Sequence, residues 1–276
     1  MKIIKETVED AIKKLSKNRS TEHYVIPKRL KFPRELKKYE YFGMEVFESF
    51  GENQDSPILL YFHGGAYIDT FAFFHWNFII EMAQKTGCGL VIPNYLMMPK
   101  WTAKASNEIT IKFYEEFSKT HDMSKVIIGG DSSGGGLAVV VLQNAIKMNL
   151  KIPKKAFLLS PWVDVTGGNP KKSKIDNMID YDCLLFYGKI WQKGYKNKDP
   201  FVSPLYGDFS YFPETDIWLD ENEVLFDDIK TMYNKMIDKN IKVHLHYGNN
   251  EGHAFPLYSK NIGKKSREEI AKFIST

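Results

Sequence analysis

Two cysteines, four arginines and no long apolar run are what this 276-residue chain has least of. Cys88 and Cys183 are too few for the disulfide framework that staples small secreted folds. No C-x-x-C pair or His-rich spacing points to a metal, so none is expected. Of the 38 basic residues only Arg19, Arg29, Arg34 and Arg267 are arginine, the lysines are scattered, and the net charge is +4. Nucleic-acid surfaces favour arginine forks and basic stripes, so no nucleic-acid partner is expected. The apolar runs fall far short of the roughly 20 residues that a membrane span requires. The start, Met1-Lys2-Ile3-Ile4-Lys5-Glu6, places Glu6, Glu9 and Asp10 where a signal peptide needs an apolar core, and reads as an amphipathic helix. These absences together lead to the expectation of a soluble, cytoplasmic protein without membrane insertion.

What is present is globular. Hydrophobic residues make up 43% and charged residues 26%, and a chain of this length fits one large domain. From about residue 57, short apolar runs alternate with longer amphipathic stretches. The runs are Ile58 to Phe62, Gly89 to Pro93, Lys125 to Ile128, Ala156 to Leu159, Asp216 to Leu219 and Lys242 to Tyr247. Most have the Val, Ile, Leu and Phe content of strands buried on both faces. Helices are expected at about 74–86, 102–120, 134–149, 185–196, 223–239 and 264–275. This alternation predicts an α/β fold with a mostly parallel central sheet and helices on both faces. Upstream, Tyr39 to Tyr41 and Glu45 to Phe50 flank Phe42-Gly43-Met44 as an antiparallel hairpin at the sheet edge. Two segments break the alternation, 1–36 and about 162–212. Both read as parts of a cap over the C-terminal edge of the sheet, around a catalytic domain spanning 37–276.

The sharpest motif is Gly130-Asp131-Ser132-Ser133-Gly134, a G-x-S-x-G directly after one strand and before an apolar helix. In that setting a serine sits in a strained turn with its hydroxyl projecting above the sheet, and the flanking glycines give the backbone room. His63-Gly64-Gly65-Ala66 follows another strand. Its backbone N–H groups at Gly64, Gly65 and Ala66, with that of Ser133 after the nucleophile, would form an oxyanion hole. Asn250-Glu251-Gly252-His253-Ala254-Phe255 follows the last strand and supplies a general base, His253, in the one loop where the chain order Ser–acid–His expects it. His63 is expected to hold its loop, while His23, His75, His121, His244 and His246 are poorly placed for the role. The acid is open on spacing alone, because Asp220, Glu221, Glu223, Asp227 and Asp228 crowd one loop.

Together these motifs resemble the hormone-sensitive-lipase-like branch of α/β-hydrolases, which includes bacterial carboxylesterases. The likeness runs from about residue 55 to 260. It includes Leu159-Ser160-Pro161-Trp162-Val163-Asp164, Asp199-Pro200, and Ser203-Pro204-Leu205-Tyr206-Gly207-Asp208. Ala66 stands where the family has a third glycine, and Tyr95-Leu96-Met97-Met98-Pro99-Lys100 replaces an Arg-rich Tyr-Arg-Leu-Ala-Pro-Glu. The resemblance carries the acid role to Glu223, with Asp220 in reserve, and implies an α/β-hydrolase fold with a helical cap.

The implied function is a serine carboxylesterase acting on short- to medium-chain acyl esters, with a small-molecule substrate, no cofactor and a homodimer possible. Phe71, Phe73, Phe74, Trp76, Phe186, Tyr187 and Trp191 either line an acyl pocket or pack cap on core. A deacetylase, formamidase or peptidase using the same triad is the nearest alternative. A non-catalytic ligand-binding protein on this scaffold is another, and retention of both Ser132 and His253 argues against it.

Overall fold

Odd and even residues of the buried strands face two different apolar layers, as the period of a strand requires. In β3 (Ile58–Phe62), Leu60 and Phe62 enter one layer and Leu59 and Tyr61 the other. The chain is described by a computed structural model at residues 5–17, 24–258 and 261–276. Its described residues form an eight-stranded sheet in the order β1-β2-β4-β3-β5-β6-β7-β8. The hairpin of β1 (Lys37–Tyr41) and β2 (Met44–Ser49) runs antiparallel at one edge. β3, β4 (Gly89–Asn94), β5 (Val126–Asp131), β6 (Lys155–Leu159), β7 (Glu214–Asp220) and β8 (Val243–Gly248) are all parallel. The mostly parallel α/β sheet expected from the sequence is therefore the one observed.

The layer containing Leu59 and Tyr61 is closed by α2 (Phe73–Thr86) and α7 (Ile262–Ser275). The opposite layer is closed by α3 (Ala103–Thr120), α4 (Ser132–Lys147) and α6 (Phe226–Asp238). Burying each large apolar side chain stabilises such layers by about 1.5–3 kcal/mol. The run Tyr95-Leu96-Met97-Met98, which departs from the family pattern, is buried throughout. Adaptable thioethers fill space there in place of an ion pair. Among the described residues no helix is long and apolar enough to cross a membrane.

Two helices differ from expectation in ways that matter for the site. The helix expected at 185–196 is α5 (Tyr181–Trp191). It starts where Asp180 caps it, accepting from the Cys183 N–H at 3.1 Å, and chain reversal at Gly194 (φ +92°) follows it. Phe186 and Tyr187 lie in the middle of this helix and Trp191 ends it. The helix expected at 223–239 begins only at Phe226, which leaves Glu223 in the loop before it. At the N-terminal side, α1 (Val8–Ser16) packs against α5.

Candidate active site

Parallel pairing brings the separate motifs to one edge. Phe62 lies opposite Gly130 across β3 and β5, so the loop 63–66 leaves its strand beside the Ser132 turn. Asp220 lies opposite Gly248 across β7 and β8, which sets the acid loop beside the His253 loop. The glycine loop, the serine turn and the histidine loop border one cleft of about 800 Å³, whose lining includes Gly65, Ala66, Ser132 and His253, while the acid loop lies behind the histidine.

Ser132 has φ +51°, a left-handed conformation that costs a non-glycine residue roughly 1–2 kcal/mol. The turn persists because its surroundings hold it. The Trp162 N–H donates to the Ser132 carbonyl at 2.8 Å. The first turn of α4 presses on β3 so closely that a Cβ at Gly134 would lie 2.2 Å from the Phe62 carbonyl oxygen. At Gly136 it would lie 2.1 Å from the Trp162 carbonyl oxygen. These glycines are required by close helix–strand packing.

His253 and Glu223 are buried at 7% and 1% exposure. His253 Nδ1 lies 2.6 Å from Glu223 Oε2, and Glu223 Oε1 accepts the Asp220 N–H at 3.1 Å. A carboxylate against Nδ1 puts the imidazole proton there and leaves Nε2 as the basic nitrogen. That Nε2 is buried and has no hydrogen-bond partner among the described residues. Burial disfavours the imidazolium, but the hydrogen bond and charge of Glu223 outweigh it and hold His253 above its ordinary pKa. Asp220, the reserve acid, does not touch His253. Its Oδ2 accepts from the Glu251 and Gly252 N–H groups at 2.8 and 3.3 Å, so it holds the histidine loop in shape. Glu221, Asp227 and Asp228 likewise make no contact with His253.

One oxyanion expectation is corrected. The Gly64 N–H donates to Asp131 Oδ1 at 2.9 Å and is not available to a substrate. The N–H groups of Gly65 and Ala66 have no such partner among the described residues. Gly65 (φ +122°) cannot carry a side chain, since its Cβ would lie 2.5 Å from the Asp69 carbonyl oxygen. Ala66 adopts φ +50°, so alanine occupies a left-handed position where glycine carries no steric penalty.

Asp131, next to the serine in its motif, is the organiser to which sequence reasoning gave no role. Its carboxylate is buried and accepts from Tyr61 Oη at 2.7 Å, from the Gly64 N–H, and from His75 Nε2 at 3.2 Å. The Ala72 N–H donates to His75 Nδ1 at 2.9 Å, which assigns the His75 proton to Nε2. Burial alone would raise the Asp131 pKa, yet His75 and Tyr61 bring it below the usual carboxylate range. Ser160 is a second organiser without a role legible in the sequence. Its hydroxyl accepts the Ala254 N–H at 3.0 Å, next to His253. His63 holds its loop as expected: Nδ1 donates to the Gly64 carbonyl at 2.7 Å and the ring stacks on Tyr95. Burial lowers its pKa to about 4, so it is uncharged at neutral pH. His121, His244 and His246 sit on other carboxylates, and His23 lies outside the described residues.

The aromatic residues take different places. Phe71, Phe74 and Tyr187 line the cleft. Trp76 is buried against Phe71 and Tyr24, Trp191 stacks on Tyr67 at 3.9 Å, Phe186 packs on the core, and Phe73 is exposed beside Arg29. The cleft lining also includes the polar residues Glu6, Asp69 and Tyr187. Lys14 of α1 pairs with Asp69 at 2.6 Å and with Glu6 at 2.8 Å, and Tyr187 donates to Glu6 at 3.1 Å. Cys88 and Cys183 are free thiols.

The pattern of the alpha/beta hydrolase fold family matches residues 59–257. Among curated proteins, the chain is 29% identical over 179 residues to a triacylglycerol lipase of Mycobacterium tuberculosis, covering 64% of this chain and 37% of the lipase. It is 26% identical over 183 residues to an acetyl-hydrolase of Streptomyces hygroscopicus, covering 65% and 61% of the two. The chain thus spans less than two thirds of the length of either relative. A solved hormone-sensitive-lipase homologue from a metagenome library superposes with a TM-score of 0.81 at 28% identity, covering 88% of each chain. With the family pattern extending from β3 to the turn after His253, the chain belongs to the alpha/beta hydrolase fold family.

Proposed function

We propose that this chain is a serine carboxylesterase that cleaves short- to medium-chain acyl esters of small molecules through Ser132, His253 and Glu223. The observation that carries the proposal is the 2.6 Å contact between His253 Nδ1 and Glu223 Oε2, in a cleft that also exposes the strained Ser132 turn. His253 Nε2 takes the proton from the Ser132 hydroxyl as Oγ attacks the ester carbonyl. Glu223 keeps the required tautomer and stabilises the imidazolium. The N–H groups of Gly65, Ala66 and Ser133 receive the oxyanion. The tetrahedral intermediate then collapses to an acyl-serine, and His253 gives its proton to the departing alkoxide. Water, deprotonated by His253, attacks the acyl-serine and releases the acid by the reverse route. No cofactor enters any step. In this reading, segments 1–36 and 162–212 act as the cap, with α1 and α5 closing the cleft above a catalytic domain of 37–276.

The test is hydrolysis of p-nitrophenyl acetate, butyrate, octanoate and palmitate by wild type and Ser132→Ala. Wild type is expected to favour the acetate and butyrate esters and to fall away towards palmitate. Ser132→Ala is expected to lose activity by a factor on the order of 10⁶, as removal of a triad serine does. Comparable turnover by Ser132→Ala sinks the mechanism, and a preference for palmitate sinks the chain-length assignment.

A further inference from the structure

The turn that carries His253 continues into the cleft and ends on a phenol whose hydrogen bond, among the described residues, is to a thioether. Residues Phe255–Leu257 form a short 3-10 turn after His253, and Tyr258 follows it and lines the same cleft as Ser132. The Tyr258 ring meets Phe74 edge-on at 5.5 Å, which fixes its direction. Its hydroxyl makes one contact among the described residues, to Met178 Sδ at 3.3 Å. A thioether is a weak acceptor, so a good donor faces the cleft poorly satisfied. Burial, with the carboxylates of Glu223 and Asp131 near by, holds the phenol well above its ordinary pKa, and it stays a donor throughout the working pH range.

The esterase mechanism fixes which part of a substrate this hydroxyl meets. The leaving oxygen must come within hydrogen-bond reach of His253 to be protonated. The alcohol moiety therefore lies along the segment that carries His253, whose far end is Tyr258. The geometry points to Tyr258 as a specificity residue that donates to an oxygen acceptor on the alcohol moiety. The enzyme would then prefer esters of ether- or hydroxyl-bearing alcohols to esters of plain alkyl alcohols. This inference rests on the esterase reading above and goes beyond it by assigning the alcohol class.

Two isosteric substrates test it, 2-methoxyethyl butyrate and n-butyl butyrate, which differ by one oxygen in place of a methylene. The readout is the ratio of kcat/KM for the two, so the intrinsic reactivity difference cancels between enzyme variants. Tyr258→Phe keeps the ring on Phe74 and removes only the hydroxyl. It is expected to lower the ratio about three- to tenfold, the size of one neutral hydrogen bond. Met178→Leu, which removes the thioether alone, is expected to keep the wild-type ratio. An unchanged ratio in Tyr258→Phe, or an equal loss in Met178→Leu, overturns the role of the hydroxyl. If wild type turns over no ester, p-nitrophenyl butyrate included, the esterase reading falls and this inference with it. Turnover of p-nitrophenyl butyrate with an unchanged ratio removes the Tyr258 assignment alone.

Discussion

Glu223→Gln is expected to lower kcat by a factor on the order of 10⁴, the size seen when a triad carboxylate becomes an amide. The two oxygens of Glu223 have different partners, which is why an isosteric amide fails. Oε1 accepts the Asp220 N–H at 3.1 Å and Oε2 faces His253 Nδ1 at 2.6 Å. Glutamine has one oxygen. If it stays on the Asp220 N–H, the amide NH₂ faces His253 Nδ1 and forces the proton onto Nε2, which then cannot act as base. If the amide flips, two donors oppose each other at Asp220. The pH profile moves as well. In wild type, kcat/KM should rise with pH as His253 loses its proton, with a midpoint above the ordinary imidazole value of about 6.5, since the Glu223 contact overcomes burial. Without the carboxylate, burial is left as the dominant influence and the midpoint should move to lower pH. Steady-state rates across pH 5 to 9 (roughly the range in which imidazole titrates) check both parts. A Glu223→Gln enzyme with near wild-type kcat and an unmoved midpoint removes Glu223 from the triad.

Asp131→Ala is expected to be the most destabilising change near the site, at about 3–5 kcal/mol. Truncation leaves three buried donors, Tyr61 Oη, the Gly64 N–H and His75 Nε2–H, without an acceptor. Their individual costs are not additive, because the three share one partner. Urea unfolding should show a lower midpoint with an unchanged slope. Asp131→Asn should lose less, about 1–2 kcal/mol, since its oxygen can still serve Tyr61 and Gly64 while its NH₂ opposes the His75 proton. Where the Asp131→Ala protein is folded, kcat should also fall by about 10²-fold. Gly64 is the anchored end of the loop whose next two N–H groups receive the oxyanion in the proposed mechanism, and misplacement by an ångström costs that much. Stability equal to wild type would mean that water or a shifted chain replaces the carboxylate.

The features legible in the sequence were those with a local cause. Apolar runs such as Ile58 to Phe62 and the helix at Phe73–Thr86 follow from periodicity. Ser132, His253 and the glycine loop follow from motifs that must sit at strand ends. What was not legible depends on neighbours distant in sequence. Asp131 has no legible role until β3 and β5 pair and bring Gly64 and Tyr61 against it. The same pairing commits the Gly64 N–H to Asp131, which no local rule reveals. Glu223 looked like the first turn of a helix because acids favour that place. It stays in the loop because its carboxylate is held between Asp220 and His253. Choosing it from five acids needed the family resemblance, since spacing does not tell a surface carboxylate from a buried one.

The most direct measurement is the site of covalent labelling by a fluorophosphonate, which reacts with a serine only when a base activates it. Wild type, His253→Ala and Ser132→Ala would be treated at neutral pH, weighed intact and mapped by peptide. One phosphonyl group on wild type, located on Ser132 and lost in both variants, is the expected result. An unlabelled wild type, or a label that persists in His253→Ala at the wild-type rate, would contradict the Ser132–His253 pair on which the proposed activity depends.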